Sequence, residues 1–156
     1  MADVRGEAMG DELTGGCQCG AVRYTARPSV RFRPYACHCT SCQSETGSAF
    51  ALQIWLLAGD LEVTGELIEG QQLKPDGAIL SRFGCPHCLS RIFSMNSSRL
   101  QLKTLRAGTL DDSAGLTPDV HIWTRSKQPW IRLPDGALAL EKQPATAEEW
   151  THLLQE

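Results

Sequence analysis

Seven cysteines, all inside three short clusters, constrain this sequence more than any other feature. They are Cys17 and Cys19, then Cys37, Cys39 and Cys42, then Cys85 and Cys88. An odd number cannot pair completely within one chain, which disfavours a disulfide framework. The N-terminal stretch carries Asp3, Glu7, Asp11 and Glu12 with no apolar run, so it does not read as a secretory signal. The longest apolar stretch, residues 54–58, is far too short for a membrane span. A cytoplasmic location and no membrane partner are the expectation. In that compartment thiols stay reduced, and clustered cysteines serve as metal ligands or reactive groups more often than as disulfides.

The spacing divides the clusters into two kinds of site. Cys17-Gln18-Cys19 lies between Gly15-Gly16 and Gly20, and Cys85-Pro86-His87-Cys88 follows Gly84. A CxxC at a turn aims backbone N–H groups at its sulfurs and favours thiolates. One CxC and one CxxC brought together supply the four tetrahedral thiolates that zinc takes at about 2.3 Å. Such a closed site is structural, because no coordination position is left. Cys37-His38-Cys39-Thr40-Ser41-Cys42 wraps three thiolates around one ion within a single loop. Three protein ligands and an open fourth position make the arrangement of catalytic zinc. Two zinc ions per chain are expected, although all-thiolate ligation also admits iron.

Other readings stay open at this point. One zinc with spare cysteines is a rival, and so is redox chemistry at Cys39/Cys42 or Cys85/Cys88, although no βαβ pattern surrounds either pair. His38 and His87 sit between cysteines and are not expected to bind metal. His121, in an apolar strand, reads as a satisfied core histidine that could also line a pocket. Trp55 and Trp123 read as core, and Trp130, after Pro129, as a pin for the chain that follows.

Periodicity points to a mainly β fold with little helix. Strands are expected at Val22–Thr25, Phe32–Cys37, Ala49–Leu56, Leu61–Leu67, Ala78–Phe83, Ser90–Met95, Leu100–Ala107 and Val120–Thr124, with a turn at Pro75-Asp76-Gly77. Thr40–Thr46 suits a short helical turn. Thr146–Gln155 is the best helix, with Thr146 and Glu149 spaced as a capping box and Trp150, Leu153 and Leu154 on one face. Gln128–Pro144, with Pro129, Pro134 and Pro144, reads as an extended surface arm. The domain expectation is a flexible lead-in over residues 1–13 and a single zinc domain over 14–156 that includes the arm and helix. The net charge of -3, with basic residues scattered, argues against nucleic acid as a partner. Exposed strand edges make a homodimer a reasonable expectation.

The order of motifs resembles the glutathione-dependent formaldehyde-activating enzyme family, which includes the centromere protein V group. The resemblance is carried by residues 15–22, by Cys37-His38-Cys39-Thr40-Ser41-Cys42, by Thr46-Gly47, by Phe83-Gly84-Cys85-Pro86-His87-Cys88, by residues 107–112, and by His121-Ile122-Trp123 with Lys127-Gln128-Pro129-Trp130. It covers about Gly15 to Trp130. It implies a β-tent fold, a structural zinc on Cys17, Cys19, Cys85 and Cys88, and a catalytic zinc on Cys37, Cys39 and Cys42. It also implies carbon–sulfur lyase chemistry that joins glutathione and formaldehyde into S-hydroxymethylglutathione. From the residues alone, an open three-thiolate zinc can polarise a carbonyl or hold a substrate thiol as thiolate; that the pair is a thiol such as glutathione and an aldehyde is what the resemblance implies. The alternatives are a non-catalytic zinc-stabilised interaction module and a thiol redox sensor built on the three-cysteine loop. One departure stands out. The family pattern places Gly directly after the last CxxC, where this chain has Leu89. Glycine there permits a left-handed backbone that leucine resists, so either the knuckle turns differently or Leu89 carries strain.

Overall fold

The computed structural model describes residues 12–155. Mainly β structure with a C-terminal helix is what it contains: among these residues are eleven strands and two α-helices. The chain forms two compact units, one made of residues up to Arg31 together with Trp55–Gly115, the other of Phe32–Ile54 and Leu116 onward. Of the lead-in expected over 1–13, residues 1–11 lie outside the described residues. Arg27 donates to the Glu12 carboxylate at 2.8 Å, and Leu13 opens the first strand.

The first unit begins with β1 (Leu13–Gly16) and β2 (Arg23–Ala26), an antiparallel hairpin, and β2 pairs on its other side with β5 (Leu61–Thr64). β2 alternates as its sequence dictates: Tyr24 and Ala26 are buried, and Arg23 is exposed. A hydrogen-bonded cluster fastens this hairpin to the short 3-10 turn at Ala107–Thr109. Thr109 Oγ1 donates to the Arg106 carbonyl at 2.7 Å, so the Tyr24 hydroxyl, 2.9 Å from Thr109 Oγ1, is the donor of that pair. Arg23 forks onto both carboxylate oxygens of Asp111, and Thr14 donates to the same group at 2.8 Å. This geometry demands small residues at the end of β1. A Cβ at Gly15 would collide with the Tyr24 hydroxyl and the Thr109 carbonyl, and one at Gly16 with the Val22 carbonyl.

The same unit contains an antiparallel meander in the order β9-β8-β7-β6. Its members are β6 (Ile68–Leu73), β7 (Ile79–Gly84), β8 (Arg91–Asn96) and β9 (Leu102–Arg106). β8 buries Ile92, Phe93 and Ser94 in its centre. β6 escaped the sequence reading because it has no alternation: all six of its residues are exposed, and cross-strand pairing with β7 alone makes it a strand. A bulge between Phe83 and Gly84 ends the β7–β8 ladder just before Cys85.

In the second unit β3 (Tyr35–Cys37) lies between β10 (Val120–Ile122), parallel to it, and the first part of β4 (Ala51–Leu57), antiparallel to it. The arm expected over 128–144 contains a two-residue strand, β11 (Leu138–Ala139), parallel to β10. Trp55 is buried as expected, but two other tryptophans depart from expectation. Trp123 is only half-buried, because it leaves β10 in a left-handed conformation (φ 59°) to start a 3-10 turn over Thr124–Ser126. Trp130 is 69% exposed and does not pin the arm.

The helix α1 (Thr40–Thr46) ends on Gly47, whose left-handed φ of 61° directs its N–H to the Gln43 carbonyl. The helix α2 (Ala147–Gln155) starts with the expected capping box: the Glu149 N–H donates to Thr146 Oγ1 at 3.1 Å, and the Thr146 N–H donates to the Glu149 carboxylate at 3.4 Å. It buries Trp150, edge-on to Tyr35 at 5.7 Å, and Leu154, whose carbonyl accepts from the Arg33 N–H at 2.7 Å. No helix among the described residues is long and apolar enough to cross a membrane. Leu154 is fully buried. Leu154→Ala therefore costs about 2–5 kcal/mol in urea unfolding, whereas Thr146→Ala, which removes only the cap, costs about 1 kcal/mol.

Candidate metal centres

Two hairpin loops build the four-cysteine cluster. The β1–β2 loop closes with the Cys17 N–H on the Val22 carbonyl (3.0 Å) and the Gly20 N–H on the Cys17 carbonyl (3.2 Å), with Gly20 at φ 81°. The β7–β8 loop closes with the Cys85 N–H on the Ser90 carbonyl and the Leu89 N–H on the Cys85 carbonyl, both 3.0 Å. The Ser90 hydroxyl ties the loops together, accepting from the Gln18 N–H at 3.2 Å. The sequence reading did not single out Ser90. Its position two residues after Cys88 was the available signal.

The sulfurs of Cys17, Cys19, Cys85 and Cys88 lie within 4.8 Å of one another. Cys17 and Cys19 Sγ are 3.5 Å apart, and Cys19 and Cys85 Sγ are 3.7 Å apart. A tetrahedron with metal–sulfur bonds of about 2.3 Å has edges of roughly 3.8 Å, so the donor set fits a zinc-sized ion. Backbone N–H groups point at the sulfurs as expected for a knuckle: Val22 to Cys17 (3.2 Å) and His87 to Cys85 (3.4 Å). The thiols oppose one another's ionisation. The Ser90 hydroxyl and nearby backbone hold Cys88 down to about 5. At Cys19 the lowering by the Ala21 N–H, the largest single influence, is outweighed by the Cys17 thiol, burial and the Cys88 and Cys85 thiols together, and the group is pushed up to about 11. A cation at the centre is what lets all four carry charge together.

Leu89 keeps the left-handed turn that glycine would favour. Its φ is 61°, and its side chain is 71% exposed, so no packing repays the strain. Of the two alternatives the departure left open, the strained leucine is the one observed.

The three-cysteine cluster is local. Cys37 ends β3 and Cys39 caps α1, its sulfur accepting from the Cys42 N–H at 3.3 Å. The three sulfurs lie within 4.8 Å of one another, and no histidine joins either cluster among the described residues. Crowding is stronger here. The Cys37 thiol, then Cys42, holds Cys39 down to about 2, while Cys39, then Cys42, drives Cys37 far above its ordinary value. No disulfide joins any of the seven cysteines.

A small polar frame holds this loop. Gln43 Nε2 donates to the His38 carbonyl and to the Ser126 carbonyl, both at 2.9 Å, and Gln43 Oε1 accepts from Gln128 Nε2 at 2.8 Å. Ser126 Oγ donates to the same His38 carbonyl at 2.9 Å, and the His38 N–H donates to the Ile122 carbonyl at 3.0 Å. Sequence reasoning missed Gln43, Ser126 and Gln128 in this role, since nothing in their local pattern announces partners more than eighty residues away. His38 and His121 are both buried, with His38 Nε2 2.9 Å from His121 Nδ1. Burial, then the neighbouring His121 and Lys127, lowers His38 to about 4, and burial lowers His121 as well. His87 is exposed.

The family model described as "Glutathione-dependent formaldehyde-activating enzyme" matches residues 12–126. No curated protein sequence matches the chain. A solved protein from Rhodobacter sphaeroides is similar over 63% of this chain and 87% of its own, at 20% identity and a TM-score of 0.49.

Replacing Leu89 tests the strained turn. Leu89→Gly relieves about 1–2 kcal/mol of left-handed strain against a chain-entropy cost of about 0.5–1 kcal/mol, so the metal-loaded protein gains a little stability. Leu89→Val loses stability. The denaturant midpoints of the two variants should fall on opposite sides of the parent's.

Proposed function

We propose a function from one premise: this chain belongs to the glutathione-dependent formaldehyde-activating enzyme family. That membership supports an enzyme acting in thiol and formaldehyde chemistry. The finer reading is a carbon–sulfur lyase that forms or cleaves an S-hydroxymethyl adduct of glutathione or an analogue. The observation that carries it is the inequality of the two clusters, four sulfurs in one and three in the other.

In this reading Cys17, Cys19, Cys85 and Cys88 would hold a structural zinc, and Cys37, Cys39 and Cys42 a catalytic one. Zinc held by three thiolates supplies an open position for a thiol or a carbonyl oxygen and a modest Lewis acidity. The reaction itself is balanced simply. The thiol sulfur adds to the formaldehyde carbon, a C–S bond forms, the C=O π pair moves to oxygen, and the thiol proton ends on that oxygen. The reverse releases both reactants. The chain's own residues contribute position. Gln43 and Ser126 clamp the loop through the His38 carbonyl, and Cys39 is fixed at the start of α1. A loop held this way, with Cys37 at the end of a strand paired on both sides, keeps its three sulfurs converged, which favours an effectively unimolecular encounter.

Thiol and formaldehyde also combine without an enzyme, so turnover is judged against the spontaneous rate. Metal content per chain, before and after a brief chelator pulse, is the first test. Two zinc ions are expected, with one lost quickly and its loss slowed by glutathione. One tightly held zinc beside three titratable thiols would overturn the enzyme reading in favour of a structural module or redox sensor. Cys39→Ser should keep the slowly exchanging ion and lose turnover by more than about 100-fold, beyond what removing a partner outside a ligand set costs. Unchanged turnover in that variant would remove the catalytic role of the loop.

A further inference from the structure

The hydrogen bonds around His38 run in one direction only. His121 Nε2 lies 3.2 Å from the Pro118 carbonyl, which can only accept, so this nitrogen carries a proton. A second proton on His121, at Nδ1, would make a buried cation and leave His38 Nε2 to accept, forcing the His38 proton onto its partnerless Nδ1; His121 Nδ1 is therefore bare and accepts. Its partner at 2.9 Å is His38 Nε2, so that nitrogen also carries a proton. His38 is left with an unprotonated Nδ1. That atom is buried and has no hydrogen-bond partner among the described residues. The ring is 0% exposed, and its visible neighbours are the Phe50 and His121 rings, each with its centroid 5.2 Å away. A protonated Nδ1–H here would be a buried donor with nothing to receive it, a worse arrangement than a bare acceptor on a neutral ring.

We infer that His121 is a positioning residue which locks His38 into its Nε2–H tautomer, and that His38 Nδ1 is a built acceptor for one buried O–H donor beside the three-cysteine loop. The donor is an ordered water or the hydroxyl of the adduct; only the second rests on the proposed function. A buried water at Nδ1 would need at least one further polar partner besides that nitrogen. The adduct's hydroxyl would use the same lone pair and would be recognised by its proton, so His38 can receive a hydrogen bond through Nδ1 but cannot give one. The family motif places a histidine between two cysteines. The role assigned to it here is to accept at Nδ1, apart from any metal ligation.

The test is nitrogen NMR of the imidazoles in the zinc-loaded protein at neutral pH, with His87 and His152 removed as His87→Gln and His152→Gln to simplify assignment. Both are exposed. The expected result is the Nε2–H tautomer for His38 and for His121. An Nδ1–H tautomer at His38 overturns the relay. The His38 Nδ1 resonance identifies the donor. A hydrogen-bonded, upfield position in the protein alone identifies water. A move to that position only on adding glutathione with formaldehyde identifies the adduct hydroxyl. A bare position under both conditions overturns the acceptor role. His121→Asn can still accept from His38 Nε2 and should keep a single tautomer, whereas His121→Phe should give a mixture. A single Nε2–H tautomer in His121→Phe would show that His121 is not the lock. None of these readouts depends on turnover, so a failed lyase assay leaves the tautomer result standing.

Discussion

Sulfurs held within 4.8 Å of one another cannot all ionise unless a cation sits among them. In the first unit two tight hairpin loops bring four sulfurs this close, the β7–β8 ladder bulges just before Cys85, and Gly15 and Gly16 leave room for Tyr24, Thr109 and Val22 behind the first loop. The Tyr24–Thr109 and Arg23–Asp111 contacts hold the first of these loops from behind. Burial pushes the Tyr24 hydroxyl up to about 12, which keeps it a neutral donor at any ordinary pH. The strained Leu89 belongs to the same economy. A backbone that must bring Cys88 around to Cys85 keeps its left-handed turn even when the residue there is unsuited to it.

The second unit reaches a comparable convergence of sulfurs by other means. Its three-cysteine loop draws nothing from a second hairpin. A strand end, a helix cap and a clamp of side-chain amides and hydroxyls set its shape. The clamp converges on a backbone atom, the His38 carbonyl, which accepts two donors while the ring of the same residue joins a buried relay. A site held through its backbone constrains where its sulfurs can go and leaves the sulfurs themselves available to a metal.

Much of this was legible in the sequence because it is encoded locally. The cysteine spacings, the capping box at Thr146 and the helical turn over 40–46 are short patterns with direct physical meaning. The apolar run of β4, which buries Trp55, is another. What escaped notice depends on partners distant in sequence. β1 does not read as a strand: the expected lead-in runs through Leu13, and Thr14, Gly15 and Gly16 show no strand pattern, while pairing with β2 and the contact to Leu110 make it one. β6 has only exposed residues. Ser90, Gln43, Ser126 and Gln128 are ordinary polar residues until the fold brings their acceptors near. Trp123 misled because an apolar neighbourhood conceals a left-handed backbone.

The two clusters also differ in how much chain each must enclose. Every ligand of the three-cysteine loop falls within residues 37–42, so an ion there closes a ring of a few residues. The other cluster joins Cys19 to Cys85 across 66 positions, and the smaller loop lies wholly inside that span. During synthesis from the N-terminus, the inner set of thiols emerges complete while the outer set still lacks half its members. The inner loop could take an ion as a nearly autonomous peptide, at little entropic cost. An ion in the outer cluster would close a far longer loop and so remove more freedom from the unfolded chain. A metal in the cluster assembled last would therefore contribute most to holding the fold, and one in the cluster assembled first could exchange with less consequence for the rest.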